Sequence, residues 1–254
     1  HSYVRVRDGL TQLGANDAMG SGNSALTLID TQESGSTSLL LALVDTATDT
    51  LAYTYTPLGV VVLQHTWTKG SIAFHDAVCF GTIAQRHPTS RETIRRFLAN
   101  APANCIKVCD LNLREPYFSQ EIIEASLEIA NVAKLNEEEL RFVGKLLGLE
   151  SYDNLRLATA LRKQYHLDLV AVILGARGSL VVSATGAVRH PSFHTSVADT
   201  VGAGDAFTAV LIHHWLRGSS LTRLSEAANR LGSWVASQPG AMPAPQNEIM
   251  AAVK

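Results

Sequence analysis

The feature that most constrains the fold of this chain is an alternation, from about residue 76 onward, of short apolar runs with longer amphipathic stretches. The apolar runs have the length and β-branched content of buried strands, as residues 169–174 do. The amphipathic stretches, such as residues 119–130, gather their apolar side chains on one helical face. Strands that alternate with helices form βαβ units, so we predict an α/β fold with a mostly parallel central sheet and helices on both faces.

The same patterns predict the elements of this core. Strands are predicted at 76–81, 105–110, 131–135 and 169–174, followed by a hairpin over 179–183 and 187–190. Helices are predicted at 88–98, 119–130, 137–147, 154–165, 206–216 and 221–237. Thr89 or Ser90 is the expected N-cap of the first helix, and Ser119 is the expected N-cap of the second.

The first 70 residues differ from this core, because they are rich in Thr and Ser and contain no convincing long helix. Residues 37–44 and 51–55 predict two strands joined by a short loop, which we interpret as a small β-flap attached to the core. We therefore leave residues 1–35 without an assigned fold, interpret residues 36–66 as a β lid, and assign residues 67–254 to the α/β core.

Composition limits the classes of partner. The chain has 21 Lys and Arg against 23 Asp and Glu, a formal net charge of −2, which argues against a nucleic-acid or membrane-surface partner. No apolar run reaches the ~18 residues of a membrane span. Three cysteines in apolar stretches, Cys79, Cys105 and Cys109, favour reduced thiols in a cytoplasmic protein. The chain begins at His1 rather than at a methionine, so we expect its natural start to be missing.

One segment has the pattern of an anion-binding helix start. Residues 199–205 (Asp-Thr-Val-Gly-Ala-Gly-Asp) precede an apolar helix, and Gly202 and Gly204 leave backbone amides uncovered at its positive end. A carboxylate there, Asp205, could accept a proton from an alcohol while the amides steady a transferring phosphoryl group. The structural alternative is a Gly-rich turn in which Asp205 only caps the helix.

The string from Asp199 to Phe207 resembles the C-terminal motif of the ribokinase-like (PfkB) carbohydrate kinases. Four more stretches are similar to family motifs and follow the family's order. They are 79–86 with Ser90-Arg91, like a bacterial fructokinase segment; 110–114 (Asp-Leu-Asn-Leu-Arg), like the Asp-x-Asn-x-Arg of fructokinases and ketodeoxygluconate kinases; 134–140, which contains Asn-x-x-Glu; and 240–243, like the end of the nucleotide site. The resemblance covers about residues 70 to 254. It implies an ATP-dependent sugar kinase, with fructose as the leading acceptor.

The resemblance also implies roles for single residues. Asp205 would take the proton from the sugar hydroxyl, and the amides of Gly202, Ala203 and Gly204 would hold the γ-phosphate. Asn136 would contact nucleotide phosphates, and Glu139 would orient Mg²⁺ through water. The remaining matches would lie near the nucleotide, at a monovalent-cation (K⁺) site or at the sugar. Near the nucleotide they are Gly175, Gly178 and Gly240; at the cation site they are Asp199 and Thr200, with the loop around Gly240; and at the sugar they are Asp110, Asn112 and Arg114.

Each assignment has a structural alternative. Asn136 and Glu139 form the sequence signature of a capping box, which needs no ligand. Asp110 and Arg114 could form an ion pair at a strand end, although residues at the carboxyl ends of such strands line the crevice where α/β sheets bind ligands. The two glycines of residues 175–178 could simply make a turn.

The front of the chain departs from the family. Members carry a Gly-Gly-x-x-x-Asn segment that grips the sugar, and residues 14–17 and 22–23 are the nearest fragments here. Residues 34–37 (Ser-Gly-Ser-Thr) do resemble the entry to the family's lid strand. We therefore expect a lid with an altered or missing sugar-binding front. Ile173 replaces a Thr that many relatives carry near ATP, a loss of about 1 kcal/mol.

Several functions stay open at this point. The acceptor could be another sugar, a ketodeoxy sugar acid or a nucleoside, and an anionic acceptor should require a basic residue at the front of the chain. The chain could also keep the fold and the nucleotide site without turnover. Because small sheets gain by pairing an exposed edge, a homodimer through residues 36–56 is a further hypothesis.

Overall fold

The computed structural model describes residues 76–149, 151–240, 243 and 247–253, together with the backbone of four strands between residues 25 and 64. The chain divides into two compact units, His1–Cys105 and Ile106–Lys254. Predictions on residues 1–24, on the loop at 45–49, and on residues 34–35 and 241–242 lie outside the described residues.

In the first unit, four strands form an antiparallel sheet in the order β2-β1-β4-β3. They are β1 (Ala25–Glu33), β2 (Ser36–Val44), β3 (Ala52–Tyr55) and β4 (Val61–Gln64). β2 and β3 correspond to the two predicted strands, but each pairs with a strand that was not predicted, β1 and β4. The limits of a lid at residues 36–66 stay a prediction.

The first unit also contains β5 (Ala77–Gly81), a 3₁₀ turn at Ile83–Gln85 and α1 (Pro88–Asn100). The predicted cap of α1 is wrong, because the helix is capped by His87, whose Nδ1 accepts the Thr89 amide at 3.3 Å. Pro88 occupies the first turn, where its fixed φ suits a helix and its missing N–H costs nothing. The cap therefore lies two to three residues earlier than predicted.

The second unit contains the rest of the predicted core. Its strands follow the order β10-β9-β8-β7-β6; β6, β7 and β8 are parallel, whereas β8, β9 and β10 are antiparallel. The strands are β6 (Ile106–Asp110), β7 (Val132–Asn136), β8 (Leu169–Ile173), β9 (Ser179–Ser183) and β10 (Gly186–His190). The helices are α2 (Gln120–Ile129), α3 (Glu137–Leu146), α4 (Asn154–Gln164), α5 (Ala203–Leu216), α6 (Leu221–Ala236) and α7 (Asn247–Ala252).

Burial along the central strands shows that both faces of this sheet are covered. Residues 132–135 of β7, 169–172 of β8 and 179–183 of β9 are buried without interruption. Because successive side chains of a strand point to opposite faces, continuous burial requires packing on each face. The predicted α/β class with a mostly parallel sheet is confirmed.

Two further observations bear on the composition. Cys79, Cys105 and Cys109 are thiols rather than halves of disulfides. Within the described residues, no helix combines the length and the apolar character needed to cross a membrane.

Candidate active site

Helix α5 begins at a glycine, and no side chain caps it. Gly202 is the N-cap, with φ 84° and ψ −15°, in the left-handed region. A residue with a β-carbon would be strained there by roughly 1–2 kcal/mol, which is why glycine suits the position. The Gly202 carbonyl accepts the first helical bond, from Ala206 N at 2.9 Å, and the Ala203 amide donates to Thr200 O at 3.3 Å. The first turn of α5 therefore presents its amides without a side-chain cap.

Asp205 lies in this first turn and is half-buried. Burial raises the pKa of its carboxyl to about 6, nearby Asp110 adds to the rise, and Lys134 opposes it. The carboxylate is thus mostly ionised at neutral pH, yet basic enough to take a proton from a bound hydroxyl.

Behind this turn lies a buried ion pair. Asp110 ends β6, and its register partner on the parallel strand β7 is Lys134. The Lys134 Nζ lies 3.1 and 3.0 Å from the two carboxylate oxygens of Asp110, and the residues are 8% and 3% exposed. Burial alone would lower the pKa of Lys134, but Asp110, with Glu139 and Asp205, raises it above its ordinary value. The ammonium therefore stays charged in the interior.

Thr208 connects this pair to α5. Its Oγ1 lies 2.9 Å from Gly204 O and 3.3 Å from Asp110 Oδ2. Lys134 approaches the same turn, since a β-carbon added to Gly204 would lie 3.1 Å from its Nζ. The ends of two strands and the start of α5 therefore meet at Gly204.

The start of α3 is a complete capping box. Asn136 Oδ1 accepts the Glu139 amide and Glu139 Oε2 accepts the Asn136 amide, both at 2.8 Å. Glu139 Oε1 accepts the Leu113 amide at 2.9 Å. Burial raises the pKa of Glu139, whereas the two backbone donors lower it, and the net effect is a rise. The structural alternative for Asn136 and Glu139 is therefore realised, and their predicted contacts with ATP and Mg²⁺ stay predictions.

The donor set at Glu139 fits an indirect role toward Mg²⁺. Both of its oxygens already bind backbone amides, and Mg²⁺ keeps several waters that such a carboxylate can accept bonds from. Among the described residues, no three acidic, His or Cys side chains converge into a metal cage.

The predicted sugar residues occupy different environments. Asp110 is buried against Lys134, so the predicted alternative of an Asp110–Arg114 ion pair is not what forms. Arg114 is exposed, and its guanidinium donates to Leu113 O at 2.9 Å. Asn112 has φ 39°, which turns the chain between them. The contact of all three with a sugar stays a prediction.

The turn at residues 175–178 has a structural reason for its second glycine. A β-carbon on Gly178 would lie 1.9 Å from His190 O, whereas one on Gly175 would meet open space. Ile173, just before the turn, is the register partner of Asn136. A cavity of about 350 Å³ adjoins the turn, with Arg177, Arg189 and Asn154 in its lining. It does not include Asp205.

The predicted cation residues are fixed by local bonds. Asp199 Oδ1 accepts the Val201 amide at 3.0 Å, and the Asp199 amide donates to Ala236 O at 3.2 Å. Gly240 has φ 80°, but the adjoining residues 241–242 lie outside the described part of the chain. A K⁺ site there stays a prediction.

Comparison with known proteins decides the family. The profile of the pfkB family carbohydrate kinases matches residues 26–248. The chain belongs to this family. Its pfkB relatives include a fructokinase of Escherichia coli, 35% identical over 152 residues, which are 53% of this chain and 46% of the relative. Another is the aminoimidazole riboside kinase of Salmonella typhimurium, 30% identical over 145 residues, 53% of this chain and 44% of that protein.

A solved pfkB-type structure extends the likeness to the fold. The crystal structure of fructokinase from Vibrio cholerae O395, in its fructose, ADP and calcium ion bound form, has a TM-score of 0.61 and 25% identity. The match covers 77% of this chain and 69% of that one. The chain spans about half the length of the curated pfkB relatives it matches.

Sequence reasoning missed Lys134 and Thr208 as members of this site. The signal for Lys134 was a single charged residue inside the apolar run of β7, quoted only as part of the Asn-x-x-Glu motif. Thr208 stands four residues after Gly204 in an apolar helix, where a hydroxyl commonly bonds the preceding turn. Neither signal reveals that both contact Asp110.

Proposed function

We propose that this chain is an ATP-dependent sugar kinase that transfers the γ-phosphate to the primary hydroxyl of fructose. The observation that carries the proposal is Asp205, a half-buried carboxylate with a pKa raised to about 6, in the uncapped first turn of α5. Family membership supports phosphoryl transfer to a carbohydrate.

The proposed step needs one base and one anion hole. Asp205 accepts the hydroxyl proton as the sugar oxygen bonds to the γ-phosphorus, and the bond from that phosphorus to the bridging oxygen breaks, releasing ADP. The amides of Gly202, Ala203 and Gly204 would bind the transferring group, where fixed dipoles are most effective, and the Ala203 amide would exchange its 3.3 Å bond to Thr200 O for one to the phosphate. Mg²⁺, when bound, would neutralise phosphate charge, and Glu139 would orient it by accepting a hydrogen bond from one of its waters. Asn136 binds a nucleotide phosphate through its amide nitrogen.

Fructose is favoured over other acceptors by two likenesses, residues 110–114 and the fructokinase relatives. A ketodeoxy sugar acid is the second candidate, because the exposed guanidinium of Arg114 is suited to a carboxylate. The similarity to an aminoimidazole riboside kinase supports a nucleoside as a third candidate acceptor.

The decisive experiment is Asp205→Asn with ADP release measured on fructose, ribose, ketodeoxygluconate and a nucleoside. We expect kcat to fall about 10³-fold or more, since the base is lost while the shape is kept. Asp168→Asn is the matched control, because Asp168 is an exposed carboxylate on the same unit, and it should leave kcat within about twofold.

Two results would contradict this proposal. Full activity of the Asp205→Asn protein would show that Asp205 is not the general base. Titration calorimetry that detects an ATP analogue, with no turnover of any acceptor by the parent protein, would instead identify a nucleotide-binding homologue without activity.

A further inference from the structure

Lys134 is a buried charge that the proposed step does not use. It is 8% exposed, and its Nζ donates to both carboxylate oxygens of Asp110. Removing two charges from water is costly, and well-packed apolar residues often serve stability as well as a buried ion pair does. The pair is therefore poorly explained as a stabilising contact alone, and its neighbours indicate another role.

Two residues in the first turns of α5, Gly204 and Thr208, lie next to this pair. The carbonyl of Gly204 accepts from the Thr208 hydroxyl, which also approaches Asp110 Oδ2. The Lys134 ammonium approaches the same residue, since a β-carbon added to Gly204 would lie 3.1 Å from Lys134 Nζ. Gly204 is thus bonded by Thr208 and approached by Lys134, and it is the residue immediately before Asp205.

We propose that Lys134 is a positioning residue for phosphoryl transfer: together with Asp110 and Thr208 it fixes Gly204, and through it Asp205 and the first-turn amides of α5, against the ends of β6 and β7. The inference rests on the proposed kinase function. A small displacement of a base or an anion hole can cost about 10²-fold in rate, so a fixed turn has catalytic value without any contact to substrate.

The pair also acts on Asp205 through its charges. Among the described residues, Lys134 lowers the pKa of Asp205 and Asp110 raises it, while Glu139 raises the pKa of Lys134. Replacing Lys134 by a neutral residue should therefore raise the pKa of Asp205, and replacing Asp110 by a neutral residue should lower it.

The first test uses Thr208, which touches neither substrate nor base. Thr208→Val removes the hydroxyl, and we expect kcat to fall about tenfold with the KM for ATP nearly unchanged. Thr208→Ser keeps the hydroxyl and should retain the kcat of the parent protein. Equal kcat values for the Val variant and the parent would overturn the inference.

The second test is the pH profile of kcat/KM. Lys134→Met should move the acid limb to higher pH, and Asp110→Asn should move it to lower pH. Shifts in the same direction, or no shift in folded variants, would contradict the role. If the Lys134 variant does not fold, the Thr208 pair still decides.

The outcome is separable from that of the proposed function. Loss of activity in Asp205→Asn together with unchanged kinetics in Thr208→Val would retain the kinase and reject the positioning role. Activity in Asp205→Asn would reject the kinase mechanism itself.

Discussion

Helices α3 and α5 both carry predicted site residues in their first turns, but their N-termini are built in opposite ways. α3 starts with the Asn136–Glu139 capping box, and its first turn carries three acidic residues, at 137–139. α5 starts at Gly202 without a side-chain cap, and Asp205 is the acidic residue of its first turn. Both N-termini have the positive end of a helix dipole, but of the two only α5 lacks a side-chain cap.

A helix N-terminus can offer its backbone amides to an anion only where its own side chains do not already bond them. In α3, the amide of Glu139 is already bonded to the side chain of Asn136, so this backbone donor is not available to an anion. In α5, Gly202 has no side chain that could cap the helix, and glycine tolerates the left-handed conformation at this position. Predictions can therefore be made by exchanging features of the two termini.

The largest effect should follow from giving α5 a cap. Gly202→Asn places a residue that tolerates the left-handed conformation and can accept a first-turn amide. We expect kcat/KM to fall about 10²-fold, as on loss of an oxyanion-hole donor, with a stability change below about 1 kcal/mol. Steady-state kinetics and urea unfolding measure the two quantities.

The control for this change is Gly202→Ala. It introduces strain of roughly 1–2 kcal/mol without adding a cap, so it should lose more stability and less activity than the Asn variant. Parent-like kcat/KM for Gly202→Asn would mean that the α5 amides do not hold the phosphate.

The start of α3 was readable from sequence because its determinants are local. The capping box spans four residues, and Ser119 likewise caps α2 within one turn. α5 was predicted to start at residue 206 but starts at Ala203, because glycine is a poor helix former and the segment 202–204 resembles a loop. The predicted anion hole therefore lies inside the helix's first turn.

The ion pair behind the site could not be predicted. Lys134 and Asp110 are 24 residues apart, and Thr208 is 98 residues from Asp110. Their contact depends on the register of β6 against β7 and on where α5 packs, which local patterns do not encode. The strands themselves could be predicted from the sequence, but the register of β6 against β7 could not.

A smaller effect should separate the two roles of Asn136. Asp is as good an N-cap as Asn, so Asn136→Asp should keep stability within about 0.5 kcal/mol. Its added charge next to phosphate should raise the KM for ATP about tenfold, or roughly 1.4 kcal/mol.

Asn136→Ser, a neutral cap, serves as the control for charge in this test. If the KM for ATP is the same in the Asp variant and the parent protein, Asn136 only caps α3. In that case the nucleotide contact predicted from the family motif would be wrong for this residue.

The smallest effect concerns the energetic cost of keeping Asp205 ready as a base. Because burial raises its folded pKa to about 6, above the ordinary value of about 3.9, the folded protein binds more protons than the unfolded chain between these values. Its contribution is therefore fully favourable below about pH 4 and is lost as pH rises through about 6. Asp205→Asn does not titrate, so at pH 8 it should be more stable than the parent by on the order of 1–2 kcal/mol. Near pH 4 the two proteins should unfold at the same urea concentration. A less stable Asn variant at pH 8 would mean that the α5 terminus stabilises the Asp205 carboxylate more than burial destabilises it. The N-termini of α3 and α5 would then differ in their capping geometry and not in the cost of holding a carboxylate.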